Sequence, residues 1–139
     1  GCGGSNIASD FELNITKSDV GAEWVFVHNP DFIFLDFMGS EKAGAGKTED
    51  DVKNAITKII DDRTSDGFGN YTATKNNRIY AIQQDFVCGP RWVIGHICFA
   101  KWLHPELFTD LSIDEINQGY LKEFHNMELD GTWAYPVPV

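Results

Sequence analysis

Residues 85–92 combine side chains that could hold a small polar or anionic ligand. The segment follows a predicted strand and opens a predicted helix, and α/β folds place ligands at the carboxyl ends of strands, beside helix N-termini. Arg91 offers five N–H donors in a fixed plane, which suit a carboxylate, a phosphate-like group or another oxyanion. Phe86 could supply an apolar wall, whereas Trp92 is predicted to belong to the core. The alternative interpretation of Arg91 is a surface salt bridge with Asp85 or another acid.

The cysteines and histidines form no recognisable metal or catalytic motif. Cys2, Cys88 and Cys98 are too few and too scattered for a disulfide framework or a metal knuckle. The four histidines lack zinc-site spacing, and neither a serine-hydrolase motif nor an acid/base pair of carboxylates stands out. We therefore expect a protein that is not an enzyme and has no resident cofactor. Cys98 is predicted to be a buried small hydrophobe, and the role of Cys88 is left open.

A glycine-rich loop at residues 39–48 is only superficially similar to a phosphate-binding P-loop. That motif requires G-x-x-x-x-G-K-[ST], because a fixed loop length lets consecutive backbone N–H groups converge on the phosphates. Counting back from Gly46, the first glycine position is occupied by Glu41, whose carboxylate would repel a phosphate. We favour an ordinary flexible loop. The alternative function is a small α/β nucleotide-binding module or enzyme that uses residues 39–48.

Hydrophobic periodicity predicts helices and strands in alternation around these segments. Helices are predicted at residues 19–28 with Ser18 as N-cap, after Thr48, from Gly89-Pro90 to Leu103 with Pro90 at the first helical position, and after a capping box at Ser112. Strands are predicted at residues 32–36 and 78–82, and a long polar loop at residues 63–77. The last helix is expected to turn Ile113, Ile116, Tyr120 and Phe124 inward.

This order of elements predicts an α/β fold: a three-layer, Rossmann-like domain whose mainly parallel sheet is flanked by helices. A chain of 139 residues suits a single domain, and 42% hydrophobic residues are enough for a core. The net charge of −10 disfavours nucleic acid as a partner. No apolar run approaches the roughly 20 residues that cross a bilayer.

Five motifs in order resemble the periplasmic binding proteins of the iron-siderophore and cobalamin type, which belong to ABC importers. They are Gly3-Gly4-Ser5-Asn6-Ile7-Ala8, Glu23-Trp24-Val25, Asn29-Pro30-Asp31-Phe32-Ile33-Phe34, Asn76-Asn77-Arg78-Ile79-Tyr80-Ala81-Ile82, and the segment from Gly89-Pro90-Arg91-Trp92 to Phe108. The resemblance covers residues 3–126. It implies that residues 1–139 form one domain, the C-terminal lobe of a two-lobe protein, without the N-terminal lobe and the interlobe helix.

The resemblance also implies a function and its residues. The ligand would be an iron chelate (siderophore, haem or cobalamin-like) or a related solute such as a metal oxyanion, delivered to a membrane permease. Matching positions place Arg91 in the ligand cleft, with Lys17 and Ser18 in one loop and Phe37 and Met38 in another; Phe86 and Cys88 belong to the same face.

Glu23 matches a surface glutamate that pairs with arginines on the permease, and a solvated charge near a helix N-terminus is its alternative interpretation. The expected location is extracytoplasmic, with a lipid anchor in the full-length protein. Gly1-Cys2 is compatible with a lipoprotein cleavage site, but the apolar stretch that would support this would precede residue 1 and is not in the given sequence, so an incidental cysteine is favoured. A pure interaction domain is a third alternative function.

Overall fold

The computed structural model describes residues 2–9 and 21–136 and contains five helices and three strands within them. The helices are α1 (Ala22–His28), α2 (Glu49–Asp62), α3 (Thr72–Lys75), α4 (Trp92–Leu103) and α5 (Ile113–His125); the strands are β1 (Ile33–Phe37), β2 (Ile79–Gln83) and β3 (Ala134–Tyr135). Short 3₁₀ turns lie at Thr64–Asp66, Phe68–Asn70, Gln84–Phe86 and Pro105–Leu107. Lys17 and Ser18 lie outside the described residues, so their predicted roles stay predictions.

The sheet has the order β1-β2-β3 and is mainly parallel, as predicted. β1 and β2 run parallel over five residues, from Ile33 opposite Ile79 to Phe37 opposite Gln83. β3, which the sequence did not predict, adds antiparallel to β2 over two residues. The carboxyl ends of β1 and β2 and the start of β3 therefore meet at one edge of the sheet, which we call the carboxyl edge.

Helices cover both faces of the sheet, which confirms the three-layer α/β architecture. Alternate strand residues point to opposite faces, because the side-chain period of a strand is two. One core, against α4 and α5, contains Ile82, Phe86, Ile94, Cys98, Trp102, Ile113 and Ala134. The other, against α2, contains Phe37, Ala43, Val52, Ile56, Ile79 and Ala81.

α2 begins with the cap that the sequence predicts. The Thr48 hydroxyl accepts a hydrogen bond from the backbone N–H of Asp51 at 3.2 Å, and the Asp51 carboxylate accepts one from the Thr48 N–H at 2.9 Å. These bonds satisfy N–H groups that the first helical turn leaves unpaired. They also lower the pKa of Asp51 below its usual value.

α4 begins later than predicted and is less buried. Its first residue is Trp92, while Gly89 and Pro90 lie in a turn, where Gly89 is so close to the Asp85 backbone that a Cβ would come within 2.7 Å of it. Trp92 is 51% exposed, so its assignment to the core was wrong. The reason is geometric: Ile94 and Cys98 define the buried stripe, and Trp92 falls outside it.

Two further expectations are corrected. Phe124 is 70% exposed, because the buried positions of α5, Ile113 and Asn117, both lie in its first half. Residues 63–77 are not one loop but two 3₁₀ turns followed by α3. Tyr71 and Ala73 are buried there, and the Ala73 N–H donates to the Pro30 carbonyl at 3.1 Å.

A buried lysine connects α4 to the start of α5. Lys101 is 1% exposed, and its Nζ donates to the carbonyl oxygens of Phe108 and Leu111 at 2.7 and 2.5 Å. Hydrogen bonds from a charged donor are stronger than neutral ones. The ammonium therefore holds the connector that sets where α5, and with it Asn117, lies.

Candidate functional site at the carboxyl edge

Three segments meet at the carboxyl edge: the glycine-rich loop after β1, the turn after β2 and the chain before β3. Open α/β sheets bind ligands outside the carboxyl ends of their strands. The edge is therefore the candidate site, and its geometry decides which predicted residues can reach a ligand.

The glycine-rich loop is tied to the chain before β3. The Gly44 N–H donates to the Thr132 carbonyl at 2.7 Å, and the Thr132 N–H donates to the Lys47 carbonyl at 2.8 Å. Gly131 has a φ of +78°, and a Cβ there would lie 2.0 Å from the Gly44 oxygen. Only glycine permits this approach. The predicted flexible loop is thus anchored in its second half.

These bonds also argue against phosphate binding at residues 39–48. A P-loop needs free backbone N–H groups pointing at the phosphates. The Gly44 N–H is bonded to Thr132, and the Thr48 N–H is bonded to the Asp51 carboxylate. Two of the donors such a site would use are therefore already occupied.

Arg91 lies at the centre of the edge but is buried, with 6% of its surface exposed. One terminal nitrogen donates to Asp85 Oδ2 at 3.0 Å and the other to Asn117 Oδ1 at 3.2 Å. The guanidinium carbon lies 3.7 Å from the centre of a Trp133 ring and 5.1 Å from that of the Phe86 ring. The salt bridge with Asp85 is thus present, although it is half-buried rather than on the surface.

This arrangement makes Arg91 a support for the edge in the present structure. Its guanidinium joins the turn after β2, the second turn of α5 and the chain before β3 through charge-assisted hydrogen bonds and a cation–π contact. A ligand would reach Arg91 only after moving Trp133 or Asp85. Ligand contact by Arg91 stays a prediction that requires such a movement.

A cavity of about 90 Å³ lies beside this cluster. It is lined by Glu49, Phe86, Ile113, Asp114, Asn117, Leu129, Gly131, Thr132, Trp133 and Ala134. Asn117 is 1% exposed and its Oδ1 is bonded to Arg91, while its Nδ2 has no acceptor among the described residues. Asn117 is one of the lining residues, so its amide is the candidate donor to a group held in the cavity.

The chemistry of the cavity suits a small neutral polar group. Asn117 can donate one hydrogen bond, Glu49 and Asp114 can accept from a donor, and the rings of Phe86 and Trp133 provide apolar walls. A free anion is disfavoured here, since two of the lining residues, Glu49 and Asp114, are acidic. A hydroxyl or an amide satisfies both kinds of partner.

The other predicted cleft residues divide into exposed and buried ones. Met38 is 71% exposed, and Cys88 is exposed in the turn after β2, so both are accessible. Phe37 is 3% exposed and packs in the core against α2. Its predicted place on the cleft surface is therefore corrected. The Phe37 side chain lies on the face of the sheet that α2 covers, where it packs beneath the carboxyl edge. Phe86 is fully buried and reaches only the small cavity.

Asn117, Thr132 and Trp133 are site residues that sequence reasoning missed. Asn117 is one polar residue within a helix, and Trp133 lies more than 40 residues after Arg91. No local pattern connects them, because their proximity depends on how α5 and β3 return to the sheet.

The buried cysteine Cys98 and the histidines His96 and His28 are not part of this candidate site. Burial raises the pKa of the Cys98 thiol to about 12, which confirms it as a buried small side chain. His96 and His28 each direct Nδ1 to the carbonyl four residues earlier, at 3.0 and 2.8 Å. Among residues 2–9 and 21–136, no three His, Cys, Asp or Glu side chains converge as metal ligands.

Within those same ranges, no helix has the length and apolar character to cross a bilayer.

The comparisons with known proteins agree with this architecture. No protein-family model matches the chain, and no curated protein is significantly similar in sequence. The crystal structure of the TroA-like periplasmic binding protein FepB from Veillonella parvula is similar over 96% of this chain, with a TM-score of 0.76 and 26% sequence identity. The chain has the fold of a periplasmic-binding-protein lobe. It spans 39% of the length of that neighbour.

For this lobe, the resemblance that the sequence motifs indicated is confirmed at the level of the fold. The neighbour is a binding protein rather than an enzyme, which supports the expectation of a non-enzyme. The carboxyl edge of a binding-protein lobe is the place where a ligand surface is expected. The anchored loop and the Arg91 cluster give that edge a defined shape.

Proposed function

We propose that this lobe belongs to the substrate-binding component of an ABC importer. The observation that carries the proposal is the similarity to a TroA-like periplasmic binding protein over 96% of the chain. The protein would capture its solute outside the cytoplasm and deliver it to a membrane permease. A lipid anchor in the full-length protein is part of the proposal.

The lobe would act as half of a clamp. We take it to be the C-terminal lobe, which faces an N-terminal lobe across a cleft and closes on the ligand by a hinge movement. Most of the edge is preorganised: Arg91 fixes the turn after β2 against α5, and Thr132 fixes the glycine-rich loop. A preorganised surface improves affinity, because less freedom is lost on binding.

The ligand we propose is an iron chelate or a related metal-containing solute. A chelate brings its own metal ligands, so the lobe needs to contact only the outer organic shell. The cavity beside Asn117 suits hydroxyl or amide groups of such a shell. Met38 and Cys88 are exposed after β1 and β2, so both are accessible to a ligand at the carboxyl edge. The two carboxylates at the cavity make a bare metal oxyanion less suitable there.

Calorimetry on the intact two-lobe protein tests this proposal. The probes are a ferric siderophore, haem, cobalamin, molybdate and tungstate, each titrated separately at neutral pH. We expect micromolar or tighter binding of one of the chelates. Failure of all five probes to bind would refute the metal-solute proposal, and tight binding of molybdate or tungstate alone would refute the argument from the cavity.

The replacement Asn117→Asp tests whether the ligand binds at the cavity. Aspartate has nearly the same shape and keeps an oxygen that can accept from Arg91, but it replaces the Nδ2 donor with a second acceptor, so ligand affinity should fall about tenfold for one lost hydrogen bond. The matched control is Glu123→Gln, which also changes one charge but lies at an exposed position of α5 outside the cavity lining. Equal affinities in both variants would place the ligand elsewhere.

A further inference from the structure

Lys101 is a buried cation without an acidic partner. The residue is 1% exposed, and no carboxylate lies within salt-bridge distance of its ammonium in the part of the chain that the structure describes. Removing an ammonium from water costs free energy that only good hydrogen bonds recover. A methionine would fill a similar volume on α4 without that cost. Packing alone therefore does not explain why a lysine occupies this position.

The ammonium is held by the connector between α4 and α5. It donates to the carbonyl oxygens of Phe108 and Leu111, at 2.7 and 2.5 Å. The Phe108 oxygen also accepts a hydrogen bond from the Leu111 N–H at 3.3 Å, so the two residues close a turn around the ammonium. Residues 108–111 belong to neither a helix nor a strand, and the charge-assisted bonds fix where this turn lies relative to α4.

The turn leads directly into one wall of the cavity. Ser112 follows Leu111, and its hydroxyl caps the first turn of α5. Ile113, Asp114 and Asn117, all in the first two turns of α5, line the cavity, whereas Lys101 does not. A helix moves as a rigid element, so a displacement of its first residue displaces these side chains as well.

The hydrogen bond between Asn117 and Arg91 makes the cavity sensitive to such a displacement. Its two side-chain atoms lie 3.2 Å apart, at the upper end of the usual range for N–H···O bonds. A further separation of roughly 0.5 Å would exceed hydrogen-bond distance. The Asn117 amide would then lose the contact that fixes its orientation.

We propose that Lys101 is a positioning residue for the ligand site: its ammonium sets the place of α5 and thereby the orientation of the Asn117 amide. This inference rests on the proposed function and deepens it, because it adds a residue outside the cavity to those that determine affinity. Arg91, the N-cap residue of α4, and Lys101, near its end, then hold α5 at two points roughly 15 Å apart along α4.

The first test measures ligand affinity by calorimetry in the intact two-lobe protein, with whichever of a ferric siderophore, haem and cobalamin binds the parent. Lys101→Met keeps a similar volume but removes the donor, so affinity should fall about tenfold, as for one lost hydrogen bond. In the Asn117→Asp background the same change should lower affinity less than about twofold, because Lys101 acts through Asn117. The control is Lys122→Met, which removes an exposed lysine of α5 and should leave affinity unchanged.

The second test needs no ligand and observes the Asn117 side-chain amide by NMR of isotopically labelled protein. Lys101→Met should shift its signals and speed the exchange of its protons with solvent, whereas Lys122→Met should change neither. If Lys101→Met does not fold, Lys101→Gln replaces it in both tests. Glutamine keeps one N–H donor to the turn, so the same changes are expected with smaller size.

Unchanged affinity and unchanged Asn117 signals in a folded Lys101 variant would overturn this inference and leave the proposed function standing. An equal loss of affinity with and without Asn117→Asp would also overturn it, since Lys101 would then act by another route. A parent protein that binds none of the probes would count against the proposed function, while shifted Asn117 signals would still support positioning by Lys101.

Discussion

Replacement of Arg91 by alanine tests whether this residue supports the carboxyl edge. The change removes the hydrogen bonds to Asp85 and Asn117 and the stacking on Trp133. Asn117 Oδ1 would lose its donor in a buried place, which costs about 1–3 kcal/mol. Loss of a desolvated cation–π contact costs about 2 kcal/mol.

The salt bridge itself contributes less. Half of the Asp85 side chain is exposed, so its carboxylate can regain water, and a partly exposed pair is worth about 0–1 kcal/mol. Arg91→Ala should therefore lower the free energy of unfolding by about 3–5 kcal/mol, since these contributions overlap. Arg91→Lys keeps the charge but cannot bond both partners in the same fork, so we expect a smaller loss.

Urea denaturation followed by circular dichroism measures the effect, and Arg63→Ala provides the control. Arg63 is exposed at the end of α2, and a surface change of this kind should alter stability by about 0.5 kcal/mol or less. A loss below about 1 kcal/mol in Arg91→Ala would refute the supporting role. If that variant also lost solute binding while remaining stable, Arg91 would be a direct ligand contact.

Two further predictions follow from pKa shifts. The hydrogen bonds to Thr48 lower the pKa of Asp51 in the folded protein. Its carboxylate therefore stabilises the fold fully at pH values above the pKa that Asp51 has in the unfolded chain. That contribution is lost as the pH falls through the lower pKa of the folded state. Asp51→Asn should lower the free energy of unfolding at neutral pH and make it depend less on pH in the acid range. Asp50 does not form the cap hydrogen bonds, so Asp50→Asn is the control and should keep the pH dependence of the parent protein. Identical stability–pH profiles for the two variants would contradict this prediction. Because the buried Cys98 thiol has a pKa of about 12 and Cys88 is exposed, iodoacetamide at pH 8 should label Cys88 and leave Cys98 unmodified in the folded protein, as mass spectrometry of digests would show. Equal labelling would mean that the core around Cys98 opens readily.

The carboxyl edge differs from a mobile ligand loop in how it is held. Thr132 bonds the glycine-rich loop on one side, and Arg91 joins three segments on the other. A hinge movement between two lobes needs surfaces that keep their shape as they approach. The proposed clamp would therefore close on its solute with an edge that is largely fixed.

The amino-acid sequence by itself determined the local elements. The Thr48 cap and the apolar stripe through Val52 and Ile56 predicted α2, and continuous apolar runs predicted β1 and β2. Such signals depend on residues adjacent to one another or at most a few positions apart, so they can be identified without the fold. The same local order was enough to predict an α/β lobe with a mainly parallel sheet.

Only the tertiary structure decided which residues form the candidate site. Arg91 is buried because Trp133 and Asn117 reach it from β3 and α5, and Trp92 is exposed because α4 turns Ile94 and Cys98 to the sheet instead. These outcomes depend on contacts between segments far apart in the chain, and a sequence pattern does not show which segments will meet. β3 could not be predicted for the same reason. Its two residues form a strand only because they pair with β2, which lies about 50 residues earlier in the chain.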